Sequence, residues 1–196
     1  MDTNNPENSQ TKDIRITGTN NKYLIKRANR EKQIPKIRKI VSKYDISMED
    51  LDFKKQFELL QEMYKDLTVI NSENEITPNF KEKQVIFQEI TKKINSYKQQ
   101  DLIKKIHNQD LFINYQVIVE KLIECEMKCY YCNCEMFILY EFVREFNQWT
   151  VDRIDNNKGH NNDNFVLSCF NCNIKRRNKA SDKFLFTKNL DIIKQK

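Results

Sequence analysis

Two Cys-x-x-Cys pairs, Cys129-Tyr-Tyr-Cys132 and Cys169-Phe-Asn-Cys172, constrain this chain more than any other feature. Two residues between thiolates let a tight knuckle bring both sulfurs about 2.3 Å from one tetrahedral zinc ion, and two such knuckles close a structural site. All six cysteines fall between positions 125 and 172. Such clustering in a chain that opens without a secretory signal argues for metal rather than disulfides. Structural zinc held by Cys129, Cys132, Cys169 and Cys172 is therefore expected. Cys125 and Cys134 remain over, and Cys134 is close enough to the first knuckle to act as a substitute ligand. The 36 residues between the knuckles exceed what a simple zinc ribbon needs, so a further folded unit is expected there.

Composition removes several alternatives. The chain has two glycines, Gly18 and Gly159, far apart. Phosphate-cradling loops and dinucleotide fingerprints need clustered glycines, so no nucleotide cofactor is expected. The longest apolar run, near Leu111 to Val119, is broken by Asn114 and Gln116, so no membrane span is expected. Met1 opens a polar, Asn-rich stretch, which predicts an intracellular, reducing compartment: the cytoplasm or the nucleus of a host cell.

Residues 1–22 carry few large apolar side chains and are expected to form a disordered tail. A helical region is expected over 23–118. Apolar residues recur there at three- and four-residue steps, as in Leu51, Phe53, Phe57, Leu60, Met63 and Tyr64. Ser47-Met-Glu-Asp50 matches a capping box, and Thr77-Pro78 an N-cap followed by proline at the first helical position. Further helices are expected from about 79 to 106 and 115 to 126, with His107 structural or at the surface. Residues 22–43 hold nine basic side chains against Glu31, whereas 44–75 hold nine acidic ones against three lysines. A basic helix of this kind can follow a phosphate backbone. It can equally be a solvated face paired with its acidic neighbour.

Between the knuckles, Trp149 to Ile154 and Phe165 to Ser168 are β-prone runs flanking a polar loop, and Asn173-Ile-Lys175-Arg176-Arg177-Asn-Lys179 reads as the start of a basic helix. This layout of strand, loop, strand and helix, with Val151-Asp152, Asp155-Asn-Asn-Lys-Gly159, Asn164-Phe-Val-Leu and Cys169-Phe-Asn-Cys172-Asn173 in that order, resembles the HNH endonucleases. These are the ββα-metal or His-Me finger nucleases, here in the zinc-stapled form of phages and large DNA viruses. The resemblance covers about residues 125 to 180. It implies an α+β chain in which a helical N-terminal region precedes a small zinc-stapled, treble-clef-like ββα-metal HNH domain over 119–190. It further implies DNA as partner and metal-dependent hydrolysis of phosphodiester bonds.

Position by position, Asp152 and Asn173 resemble the family's ligands for a catalytic Mg2+ or similar divalent cation, and Asn164 resembles the Asn that braces the loop. Lys158, Lys175, Arg176, Arg177 and Lys179 are expected to contact phosphates without reading sequence. One position departs from the pattern. The family's general base is a His directly after the Asp, and Arg153 stands there. A guanidinium stays protonated at physiological pH and cannot take a proton from water. His160, next to Gly159 in the loop, is the candidate base with a near-neutral pKa. Arg153 also leaves open a treble-clef module that binds nucleic acid without cutting it. A junction resolvase of the endonuclease VII type is a third reading.

Overall fold

The computed structural model describes residues 17–19, 21, 22, 25, 35–69 and 81–190. Residues 1–16 and 20 of the expected tail, the Thr77-Pro78 start signal, and Lys26, Arg27, Arg30 and Lys32 of the basic segment lie outside the described residues. Two units divide at Pro35 and Lys36. In the first, Lys22 N–H donates to the Gly18 carbonyl at 3.1 Å. The second carries the elements α1 (Lys39–Tyr44), α2 (Phe53–Val69), α3 (Lys81–Ile103), α4 (Tyr115–Glu124), β1 (Trp149–Arg153), β2 (Phe165–Cys169), α5 (Phe170–Arg176) and α6 (Ser181–Lys188). It is an α+β arrangement. Among the described residues no helix is long and apolar enough to cross a membrane.

Local chemistry sets most element ends. The reciprocal bonds of the Ser47 capping box form, Ser47 N to Asp50 Oδ2 at 2.8 Å and Asp50 N to Ser47 Oγ at 3.2 Å. They close a turn rather than start the helix. Asp52 does that instead, its carboxylate accepting the N–H groups of Lys54 and Lys55. Asn114 caps α4 by accepting from Val117 N at 3.0 Å. The strands lie within one residue of their expected bounds and pair antiparallel, with Trp149 opposite Cys169 and Asp152 opposite Val166. The helix expected near Asn173 begins three residues earlier, at Phe170, so the second knuckle lies inside its first turn.

One hydrophobic core runs from Leu60 and Met63 in α2, through Ile86, Ile90 and Ile94 in α3 and Ile118 and Leu122 in α4, to Met136, Trp149, Leu167 and Phe184. It crosses the boundary drawn from sequence at 118/119. Polar side chains fasten the same seam. Fully buried Gln56 accepts from the N–H groups of Ile138 (3.0 Å) and Leu139 (2.8 Å) and donates to the carbonyls of Leu51 (3.0 Å) and Leu139 (3.1 Å). Lys93 of α3 donates to the Trp149 carbonyl at the head of β1 and sits 4.8 Å from the Trp149 ring centroid. Arg38, counted in the basic segment, pairs with buried Glu89 and lies 3.9 Å over the Tyr140 ring. Arg38 therefore pairs inside the core with α3 rather than with the acidic 44–75 segment, whereas Lys36, Lys39 and Lys43 are exposed.

Removing a partner that leaves buried backbone groups unsatisfied costs about 1–3 kcal/mol per group. Gln56→Leu strands four of them, so it should lower unfolding free energy by on the order of 4 kcal/mol in urea titration. A loss under about 1 kcal/mol would show that Gln56 does not join the two parts.

Candidate functional site

The first knuckle is a short hairpin. Cys129 N donates to the Cys134 carbonyl at 2.9 Å, Asn133 N donates to the Cys129 carbonyl at 2.8 Å, and Lys128 bridges to Glu135. Asn133 takes a φ of 55°, a left-handed turn that asparagine tolerates. This fold-back carries Cys134 alongside Cys129. The second knuckle enters from β2, and the Cys169 sulfur caps α5 by accepting from Cys172 N at 3.4 Å.

The ligand atoms of Cys129, Cys132, Cys134 and Cys169 all lie within 4.8 Å of one another. Sulfurs 2.3 Å from a tetrahedral ion stand about 3.8 Å apart, and Cys132 and Cys169 are 3.8 Å apart. Four cysteines so placed can hold a metal ion such as zinc. The membership differs by one residue from that expected on spacing. Cys134 joins the group because the hairpin turns it back, while buried Cys172 borders it from α5 and interacts with Cys129 and Cys132. Burial pushes the Cys134 and Cys172 thiols up to about 12, and the neighbouring Cys169 thiol does the same to Cys129. A cation relieves that crowding by taking up the charge of the thiolates.

A cleft of about 1010 Å³ opens beside β1. Asp152, Arg153, His160, Asn173, Arg176, Arg177 and Lys179 line it, joined by Tyr97 and Lys104 from α3 and the turn after it. The structure thus gathers seven of the candidate residues of the ββα segment around one opening, and buried Asn164 is not among them. Lys158 and Lys175 are exposed outside the lining.

Each candidate has a defined setting. Asn164 braces the loop, its Nδ2 donating to the carbonyls of Asp155 and Gly159 (both 3.0 Å) and its Oδ1 accepting from Asp155 N at 2.9 Å. Arg153 reaches across the same loop to the carbonyls of Asn156 (3.2 Å) and Lys158 (3.1 Å). Asn173 Nδ2 donates to Thr150 Oγ1 at 3.0 Å and to the Val151 carbonyl at 3.3 Å.

Asp152 is 4% exposed. Its two oxygens accept a fork from Arg176 Nε and Nη2, both 2.6 Å, and Oδ2 also accepts from the Tyr131 hydroxyl at 2.9 Å. Arg176, expected against phosphate, is 1% exposed and spends its remaining donors on the carbonyls of Arg153 and Lys179 and on Asn156 Oδ1. Arg177 and Lys179 are exposed at the cleft.

His160 is 3% exposed. Its ring stacks on Tyr97, centroids 4.5 Å apart. Its Nδ1 lies 2.7 Å from Asp101 Oδ1, and its backbone N–H donates to Asp101 Oδ2 at 2.6 Å. Asp101 is 0% exposed. Burial holds His160 below its ordinary pKa, with Asp101 pulling the other way. Sequence reading missed Asp101, although a signal was present. It continues the buried stripe of α3 through Ile86, Ile90, Ile94 and Tyr97 at helical steps, and a carboxylate on such a stripe needs a partner. His107 packs edge-on against Phe112, 5.0 Å between centroids.

Gly159 permits this contact by its size. A Cβ there would lie 2.7 Å from the Ile106 carbonyl oxygen and 2.9 Å from Asp101 Oδ2. The chain matches no family model, and neither the curated proteins nor the solved structures contain a match to it.

Cys134→Ser should weaken zinc retention against a chelator, whereas Cys125→Ser, whose thiol bonds to the Leu122 carbonyl, should leave it unchanged. Undiminished retention in Cys134→Ser would assign the fourth position to Cys172. Gly159→Ala should cost about 1–3 kcal/mol of stability by overpacking with zinc content intact. A urea midpoint equal to that of the natural chain would show that the loop has room to spare.

Proposed function

We propose that this chain is a divalent-cation-dependent endonuclease that hydrolyses DNA phosphodiester bonds, with a structural zinc ion on its cysteines. The observation that carries this reading is the buried, carboxylate-held His160 at a cleft rimmed by Lys104, Arg153, Arg177 and Lys179. A neutral imidazole is a competent base near pH 7. The cationic rim suits an anionic, extended substrate.

In this mechanism Arg177 and Lys179 hold the phosphate backbone, and Lys158 and Lys175 widen the contact outside the cleft. His160 takes the proton of the attacking water at Nε2, the ring nitrogen that Asp101 leaves available. Asn164 and Arg153 keep the 155–159 loop in place. Arg153 thus serves as a brace at the position where the resembled family carries its base. The products are 5′-phosphate and 3′-hydroxyl ends.

Asp152 and Asn173 are the residues for the cation. The Asp152 carboxylate uses three of its roughly four lone-pair directions, and Asn173 uses only its NH2 group in the bonds described above. One carboxylate direction and one amide oxygen suit Mg2+, which binds through few protein ligands and keeps several waters. When bound, such a cation would neutralise phosphate charge and ease departure of the 3′ oxygen.

The Arg176 fork supports a second reading. It already neutralises Asp152, as a zinc module that binds nucleic acid without cutting it would require. Nicking of supercoiled plasmid separates the two. The nuclease reading expects Mg2+-dependent nicks from the natural chain, a fall of about 10²–10⁴-fold in His160→Ala, and loss in Asp152→Ala and Asn173→Ala with zinc retained. A chain that binds DNA yet never nicks it across Mg2+, Mn2+, Co2+ and Ni2+ establishes the binding module.

The pH dependence has a fixed sign. His160 is lowered in the folded chain, so the unfolded chain takes its proton first, near pH 6.5. Stability should fall as pH drops below that value, and the acid limb of the nicking rate should lie below it too. An acid limb above pH 7 would exclude His160 as the base.

A further inference from the structure

The geometry points to Asp101, on the helical region outside the ββα segment, as the positioning residue that sets the tautomer and orientation of His160 for proton transfer. This inference rests on the nuclease reading above.

Four contacts carry it. Asp101 Oδ1 faces His160 Nδ1 at 2.7 Å, and Asp101 Oδ2 accepts the His160 backbone N–H at 2.6 Å, so one carboxylate fixes both the ring and its main chain. The Tyr97 ring, one helical turn earlier, covers a face of the imidazole. Gly159 leaves less than a methyl group of clearance beside Asp101 Oδ2. A carboxylate at Nδ1 keeps the proton there and the lone pair on Nε2, which is the form able to accept from water. It also stabilises the imidazolium that forms when the proton arrives. The other charges acting on the ring are Arg153 from the end of β1 and Lys104 after α3, both of which oppose that cation. Asp101 is the counterweight.

Three helical turns of α3, from Ile90 to Asp101, anchor this carboxylate in the core, so its position does not depend on the loop it holds. A purely architectural Asp101 would need only the bond to the main chain. The second bond, to the ring, is what a positioning role adds.

The test is Asp101→Asn in the full chain, assayed for plasmid nicking in Mg2+ beside its zinc content and urea midpoint. An amide can present its NH2 to Nδ1 and move the proton to Nε2. The expected result is a fall in kcat of on the order of 10²–10⁴-fold with KM nearly unchanged. The acid limb should also move to lower pH, because the charge that raises the His160 pKa is gone. In ¹⁵N spectra the His160 ring should change from the Nδ1–H to the Nε2–H tautomer. Where Asp101→Asn lowers the urea midpoint, the cycle with His160→Ala decides. Asp101→Asn should cost nothing further in kcat on that background, whereas a structural defect would add.

Asp101→Asn that matches the natural chain in kcat, pH profile and tautomer overturns the assignment while the nuclease stands. A natural chain that nicks no DNA defeats the nuclease reading, and this assignment falls with it.

Discussion

A guanidinium cannot remain bare inside a protein, and the cleft of this chain is built around meeting that demand. Arg176 is almost completely buried, and its donors reach Asp152 of β1, the carbonyls of Arg153 and Lys179, and the side chain of Asn156. One cation therefore ties the end of β1, the loop after it and the turn leading into α6. Breaking a buried pair by removing one partner costs about 3–5 kcal/mol, since the remaining charge is left uncompensated. The shape of the cleft floor and the state of Asp152 are consequences of the same residue. A functional role for Asp152 has to be exercised with Arg176 beside it.

The two chemically distinct regions lie toward opposite ends of one short hairpin. Cys169 ends β2 and contributes to the sulfur cluster, while Asp152 and Arg153 at the far end of β1 open on the cleft. A five-residue pairing register couples them. Tyr131, between the cysteines of the first knuckle, donates to Asp152 and packs edge-on against Phe184 of α6. Metal at the cysteines would therefore act on the cleft through rigid covalent and hydrogen-bonded links rather than at a distance.

Much of this was legible in the sequence where the signal was local. The two strands and the gathering of cysteines follow from β-propensity and spacing that involve neighbours along the chain, and the brace at Asn164 is what the family resemblance implies. What escaped depends on distant pairings. Cys134, by contrast, is legible as a substitute ligand from its nearness to the first knuckle, and a local hairpin brings it into the sulfur group. Arg176 looks like one more base in Lys175-Arg176-Arg177, and only the three-dimensional placement of Asp152 turns it inward. Gln56 and Asp101 sit on helices whose apolar stripes are plain, yet their partners lie 82 or 83 and 59 residues away. The same holds for Gly159, whose neighbours Ile106 and Asp101 lie far back along the chain. Its role is clearance, a property of what packs against it.

The Asp101–His160 contact joins residues 59 apart across α4, the first knuckle and β1, and closing so long a segment is entropically slow compared with forming a hairpin or a helix. During synthesis α3 emerges well before His160, and the braced loop can dock only after both strands exist. The cleft is thus among the last parts of the molecule to be assembled. A ribosome-bound chain whose second knuckle is still unmade carries helices and a first knuckle but no organised cleft, so whatever chemistry that cleft performs is withheld from the nascent polypeptide.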